Sequence, residues 1–125
     1  MRNLLARGGV IGGTSAGAAV MSEVMIRGGN PVAELGRGFG FLPGVIVDQH
    51  LSERERLPRL RGAVDRHPGY LGLGIDEQTA VVVQRRVARV LGERQVHVCL
   101  PGQSTVKVFR SGDRIDLDAL PGGTK

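Results

Sequence analysis

Three short segments carry residue types that chemistry uses. The first is Gly12-Gly13-Thr14-Ser15-Ala16-Gly17-Ala18. A short apolar run, Val10-Ile11, ends in glycines, a serine follows, and a stretch of small helix-forming residues begins. That order matches a nucleophile elbow, in which a tight strand-to-helix turn lifts a serine hydroxyl clear of a sheet. The amide of Ala16 would then lie at a helix N-terminus and could donate to a developing oxyanion. The same residues also suit a plain helix cap at Ser15, whereas a phosphate loop is excluded by the absence of G-x-x-x-x-G-K-[ST].

A serine nucleophile needs a base, and the chain has three histidines, His50, His67 and His97. His97 falls inside an alternating β pattern, which suits a cross-strand or surface position. His67 precedes Pro68 in a loop. His50 follows Val45-Ile46-Val47-Asp48-Gln49, at the end of an apolar strand, where α/β folds place their ligands. The orienting carboxylate of such a triad is sought at the end of the next apolar run, Leu71–Ile75, where Asp76 and Glu77 both qualify. Asp48 is close to His50 in sequence, Glu34 is an outlying alternative, and Asp76–Thr79 also has the composition of a turn. Beyond His50, Ser52-Glu53-Arg54-Glu55-Arg56-Leu57-Pro58-Arg59 is a mixed charge run. It reads either as a solvated helix face or as a set of arginines placed to grip a carboxylate.

The elements that must position these groups are legible as an α/β pattern in the first half and a β-rich second half. Residues 1–7 read as a helix end, residues 8–13 as a short buried strand, and residues 16–25 as a helix ended by Gly28-Gly29-Asn30-Pro31. Residues 35–44 read as a loop and residues 45–47 as a strand. Residues 50–66 read as one helix, with Ser52 and Glu55 as a capping box. Short strands follow at 71–75, 79–83, 87–91, 96–100 and 106–109, with a further strand or loop over 113–120.

Composition bounds the rest. The chain has 125 residues, 41% of them hydrophobic, and suits one domain. A single cysteine, Cys99, excludes an internal disulfide and a cysteine-cluster metal site. No apolar run approaches the roughly 20 residues of a membrane helix, and no signal peptide is visible, so the cytoplasm is the expected compartment. The net charge of +5 comes from 17 basic residues against 12 acidic ones, and only Lys107 and Lys125 are lysines. A basic nucleic-acid module is disfavoured, because aromatics are only 3% and leave no stacking platform.

Taken together, Gly13-Thr14-Ser15-Ala16-Gly17-Ala18, Asp48-Gln49-His50, Ser52-Glu53-Arg54 with Arg56 and Arg59, and Gly74-Ile75-Asp76-Glu77-Gln78-Thr79-Ala80 resemble the cyanophycinase family. So does the approach Gly40-Phe41-Leu42-Pro43-Gly44 that leads to Val45. The resemblance runs from about residue 8 to residue 110. It implies a serine peptidase with an α/β, doubly wound sheet like that of class I glutamine amidotransferases. It also implies an exopeptidase that releases β-Asp-Arg dipeptides from cyanophycin, needs no metal or cofactor, and forms a homodimer. Carried over residue by residue, Ser15 would be the nucleophile, His50 the base, Glu77 the acid and Ala16 the oxyanion donor. Asp48, Gln49, Arg54, Arg56 and Arg59 would line the substrate pocket, with Asp48 meeting a substrate guanidinium. Related aspartyl dipeptidases share the serine turn and the histidine. Two departures stand out: Leu51 replaces a frequent aromatic, and Pro58 interrupts the arginine segment. The chain also opens in mid-element and reads as the C-terminal part of a larger peptidase domain. That expectation leaves activity of the short chain open, with a non-catalytic remnant as the alternative.

Overall fold

The computed structural model describes residues 2–14, 16–103 and 106–118. Two short helices come first, α1 (Arg2–Ala6) and α2 (Ala16–Ala19). A hairpin of β1 (Val24–Gly28) and β2 (Glu34–Arg37) precedes β3 (Val45–Gln49), α3 (Leu57–Arg66) and β4 (Leu71–Ile75). Five more strands complete the described chain: β5 (Thr79–Gln84), β6 (Val87–Gly92), β7 (Val96–Cys99), β8 (Val106–Phe109) and β9 (Arg114–Asp116). The class is mixed α/β and rich in strands.

The central sheet has the order β3-β4-β7-β8. β3 and β4 run parallel, joined through α3, while β4–β7 and β7–β8 are antiparallel. Side chains alternate across a pleated strand, and this alternation builds two cores. Val45, Val47, Leu71, Leu73, Val96 and Val98 pack on one face with Ala88, Val90 and Ile115 of the separate β5-β6-β9 sheet. On the other face Ile46 joins Leu51, Leu60, Ala63 and Val64 of the following turn and α3, together with Ile26 of the hairpin. Gly72 and Gly74 of β4 point to that second face. Their lack of a side chain makes room, since a Cβ at Gly74 would lie 2.6 Å from a methyl of Leu51 and one at Gly72 2.8 Å from Val64. The smaller leucine at position 51 thus fits directly over the glycine-bearing strand.

Several expected elements differ, each for a tertiary reason. Residues 8–13 form no strand. Val10 is 86% exposed, and a two-residue apolar run between glycines makes no ladder without a partner strand. The helix expected over 16–25 stops at Ala19. Ser22 is instead drawn into the core, where its hydroxyl accepts the Val47 amide at 3.0 Å, and the chain continues into β1. The first part of the expected 35–44 loop is β2, with Gly36 paired to Met25 so that the Arg27 side chain lies over it. The helix expected from residue 50 starts at Leu57 with Pro58 in its first turn. Proline there removes only an N–H that has no intrahelical partner, so Pro58 opens α3 rather than interrupting it. Arg56 occupies the N-cap without a side-chain cap, and the Ser52–Glu55 capping box does not form. The strand or loop expected over 113–120 is the short β9.

The glycine at position 74 is required by space and the one at position 62 is not, because a Cβ at Gly62 meets nothing within 4 Å. Gly74→Ala is expected to destabilise the protein by about 1–3 kcal/mol through overpacking against buried Leu51. Gly62→Ala, in the interior of α3, is expected to stabilise by about 0.5–1 kcal/mol. Urea unfolding of the two variants checks both signs.

Candidate active site

The parallel register sets Gln49 opposite Ile75. One residue past Gln49 is His50; two past Ile75 is Glu77. The chain turns sharply at His50, which adopts a left-handed backbone with φ of 53°. Such a conformation is uncommon outside glycine and persists where the surroundings enforce it. It turns the ring toward the neighbouring strand end, where His50 Nδ1 meets Glu77 Oε1 at 2.8 Å. Because a carboxylate accepts, we assign the proton to Nδ1, which leaves Nε2 as the basic nitrogen. The His50 side chain is 22% exposed and that of Glu77 41%, so the pair stands at the rim of the fold rather than in its core.

A cavity of about 770 Å³ opens at this rim. Gln49, His50, Asp76 and Glu77 line it, as do Gly12, Gly13, Thr14 and Ala18. Thr14, the glycines before it and Ala18 therefore line the same space as the histidine. Ser15 itself lies outside the described residues, and so does the Ala16 side chain. The Ala16 backbone opens the four-residue α2.

The two adjacent acidic residues separate cleanly in their contacts. Asp76 is buried, and its carboxylate is engaged by Ser52, Gln95 and His97. Its Oδ1 accepts from the Ser52 amide at 3.1 Å and the Ser52 hydroxyl at 2.7 Å. Its Oδ2 accepts from the Gln95 amide at 3.3 Å and meets His97 Nε2 at the same distance. Burial raises the Asp76 pKa, but the hydrogen bonds from Ser52 and His97 outweigh it, and the net shift is downward. His97 is thus not simply a strand residue; its ring closes on Asp76. His67 is partly buried, with its ring edge-on to Tyr70 and 5.8 Å away.

The remaining residues implied by the resemblance lie beneath or beside the cavity. Asp48 is fully buried, and Arg59 donates to both of its oxygens, Nε to Oδ2 at 2.7 Å and NH2 to Oδ1 at 2.6 Å. Arg59 NH1 also donates to the Gly29 carbonyl at 3.0 Å. Arg56 donates from NH1 to the Gln49 carbonyl and to Gln49 Oε1, at 3.0 and 2.9 Å. Arg54 is exposed on the turn, and its carbonyl accepts from Asn30. Of this set only Gln49 is on the cavity wall described above. Both Asp48 oxygens are engaged inside the protein, where a free carboxylate for a substrate guanidinium was expected. Sequence reasoning passed over Glu53 as part of a charge run. Its Oε1 accepts the Glu77 amide at 3.1 Å, and Arg94 donates to its Oε2 at 3.0 Å. No local signal marks it, because its partners are 24 and 41 residues away.

Cys99 offers no competing nucleophile. It is 3% exposed, and burial pushes its thiol pKa up to about 11. Among the described residues no group of three or more metal-ligating side chains converges, and no helix is long and apolar enough to cross a membrane.

An α/β sheet with a histidine–carboxylate pair at its strand ends, on a cavity that the glycine-rich segment before Ser15 also lines, sets the class of protein. The chain belongs to peptidase family S51, whose family model matches residues 1–91. It is similar to cyanophycinase from Synechococcus elongatus, with 44% identity over 100 residues, covering 74% of this chain and 31% of that protein. The cyanophycinase of Trichormus variabilis is 44% identical over 109 residues, which cover 79% of this chain and 37% of the relative. Among solved structures, a peptidase from an acI-B1 Actinobacterium aligns with a TM-score of 0.60 and 27% identity over 82% of this chain and 43% of that one. The chain spans about a third of the length of these curated relatives.

The Asp76 contacts give a pH dependence with a definite sign. A carboxyl whose folded pKa is lowered contributes stability above its unfolded value, about 3.9, and loses it as pH falls through the folded value. Asp76→Asn is expected to cost about 1.5–3 kcal/mol near neutral pH, as for hydrogen bonds to a charged group. The gap to the wild type should close below about pH 4. Urea midpoints of both proteins at neutral and acid pH measure it.

Proposed function

We propose that this chain carries the nucleophile, base and acid of a serine-type exopeptidase that acts on cyanophycin, multi-L-arginyl-poly-L-aspartate, and releases β-Asp-Arg dipeptides. The observation that carries this reading is the His50 Nδ1–Glu77 contact of 2.8 Å on a cavity that Gly12, Gly13, Thr14 and Ala18 also line. The similarity to cyanophycinases supports the choice of substrate.

In this reading the Ser15 hydroxyl adds to the carbonyl carbon of the scissile bond while His50 Nε2 takes its proton. Glu77 holds Nδ1–H and stabilises the imidazolium that results. The carbonyl oxygen becomes an oxyanion, which the Ala16 amide would help to hold. The carbon–nitrogen bond then breaks as His50 returns the proton to the leaving amine. Water, deprotonated by His50, cleaves the remaining serine ester and restores the enzyme. Gln49, whose Oε1 is engaged by Arg56 and which lines the cavity, would contact the substrate. Arg54, exposed on the turn, would meet the terminal carboxylate of the polymer. Asp48 and Arg59 act below, as the buried pair that fixes the end of β3.

Turnover is followed as dipeptide release from cyanophycin, with aspartyl dipeptides assayed alongside. Ser15→Ala and His50→Ala are each expected to lower kcat by about 10³-fold or more, with Glu77→Gln less severe. A Ser15→Ala protein that keeps wild-type turnover contradicts the nucleophile. Cleavage of dipeptides with none of the polymer contradicts the substrate and leaves the triad standing.

A further inference from the structure

We propose that Glu53 and Asp76 form a reciprocal clasp that positions the His50–Glu77 pair, so that both are positioning residues for the reaction. This rests on the proposed role of His50 as base.

The clasp joins the two turns that follow β3 and β4. From the second turn, the Asp76 carboxylate reaches into the first and accepts the Ser52 amide and hydroxyl. From the first turn, the Glu53 carboxylate reaches into the second and accepts the Glu77 amide at 3.1 Å. Each turn thus supplies one carboxylate to the other's backbone. The Leu51 amide adds a third link, donating to the Ile75 carbonyl at 3.3 Å. His50 and Glu77 are immediate neighbours of these anchored positions on their own turns. The ladder between β3 and β4 ends at Gln49 and Ile75, so strand pairing alone does not fix what lies beyond it.

Each carboxylate is itself braced from the same side. Asp76 receives the Gln95 amide and the His97 ring, and its own amide donates to the Gln95 carbonyl at 3.1 Å. Arg94 donates to the second oxygen of Glu53. Residues 94, 95 and 97 belong to β7 and the turn before it, and β7 pairs with β4. The clasp therefore ties both turns to β7 and the turn before it. His50 also sits in an uncommon backbone conformation, φ 53°, of the kind that surrounding contacts must over-determine. No atom of Glu53 is needed on the substrate side for this role.

The test is Glu53→Ala, with Glu53→Gln as the conservative variant that keeps a carbonyl oxygen for the Glu77 amide. Two readouts are used. The first is the His50 Nδ1–H proton resonance of the purified protein, assigned by its loss in His50→Ala. The second is the kinetics of dipeptide release. The proposal predicts that Glu53→Ala broadens or shifts the Nδ1–H signal and lowers kcat by about 10²-fold, the cost of a small misplacement, with KM little changed. Glu53→Gln should recover the signal and most of kcat. A Glu53→Ala protein that is folded by circular dichroism and keeps the wild-type resonance overturns the clasp. So does equal damage in the Ala and Gln variants. The resonance is read without substrate, so failure of the proposed peptidase activity leaves that arm intact.

Discussion

Parallel pairing of β3 with β4 holds Gln49 opposite Ile75, and the site depends on that register. Two strands running the same way end on the same side of the sheet. The residues just past each end become neighbours although 27 positions separate them in the chain. A shift of one residue would move Val45 and Val47 out of their core and Ile46 into it. It would also part His50 from Glu77. The two apolar faces that build the protein thus set the geometry of its polar rim. The glycines of β4 belong to the same constraint, because α3 and Leu51 can close over that strand only where no side chain intervenes.

Charge is used in layers below the cavity. Asp48, at the end of β3, is buried against Arg59. Arg59 reaches on to the hairpin turn at Gly29, so one guanidinium links strand, helix and hairpin. Breaking such a buried pair by removing one partner leaves an uncompensated charge and costs more than the pair contributes when whole. Arg56, one turn earlier, fixes the orientation of Gln49 by occupying its side-chain oxygen. Nearest the rim, Glu53 and Asp76 tie the two turns together. Glu53, Arg56 and Arg59 of the mixed charge run thus bond inside the protein, while Arg54 and Glu55 stay exposed.

How much of this was legible in the sequence depends on how local each cause is. Val45–Val47 and Leu71–Ile75 declare themselves as buried strands by continuous apolar character, and His50 stands out at the end of the first, whereas Asp76 and Glu77 qualify equally at the end of the second. The β-rich second half is equally plain from its alternation and turn residues. The helix over 16–25 misled because its propensity is good. What decides that segment is the Ser22 hydroxyl meeting Val47, a contact 25 residues away. Ser52 and Glu55 fit a capping box by spacing, yet Ser52 bonds to Asp76, and Pro58 sets the true start of α3. The roles of Asp48 and Glu53 were illegible for the same reason. A carboxylate's partner is chosen by the fold, and nothing in a mixed charge run says whether it will face substrate, solvent or another turn.

The central claim is that His50, oriented by Glu77, activates the serine of the glycine-rich turn. Treating the purified protein with a fluorophosphonate and locating the adduct by peptide mass spectrometry tests it without reference to any substrate. The account predicts a single adduct on the peptide that contains Ser15, formed at a rate that collapses in His50→Ala. An adduct on Ser52, beside His97, or labelling of Ser15 that is indifferent to His50, would contradict it.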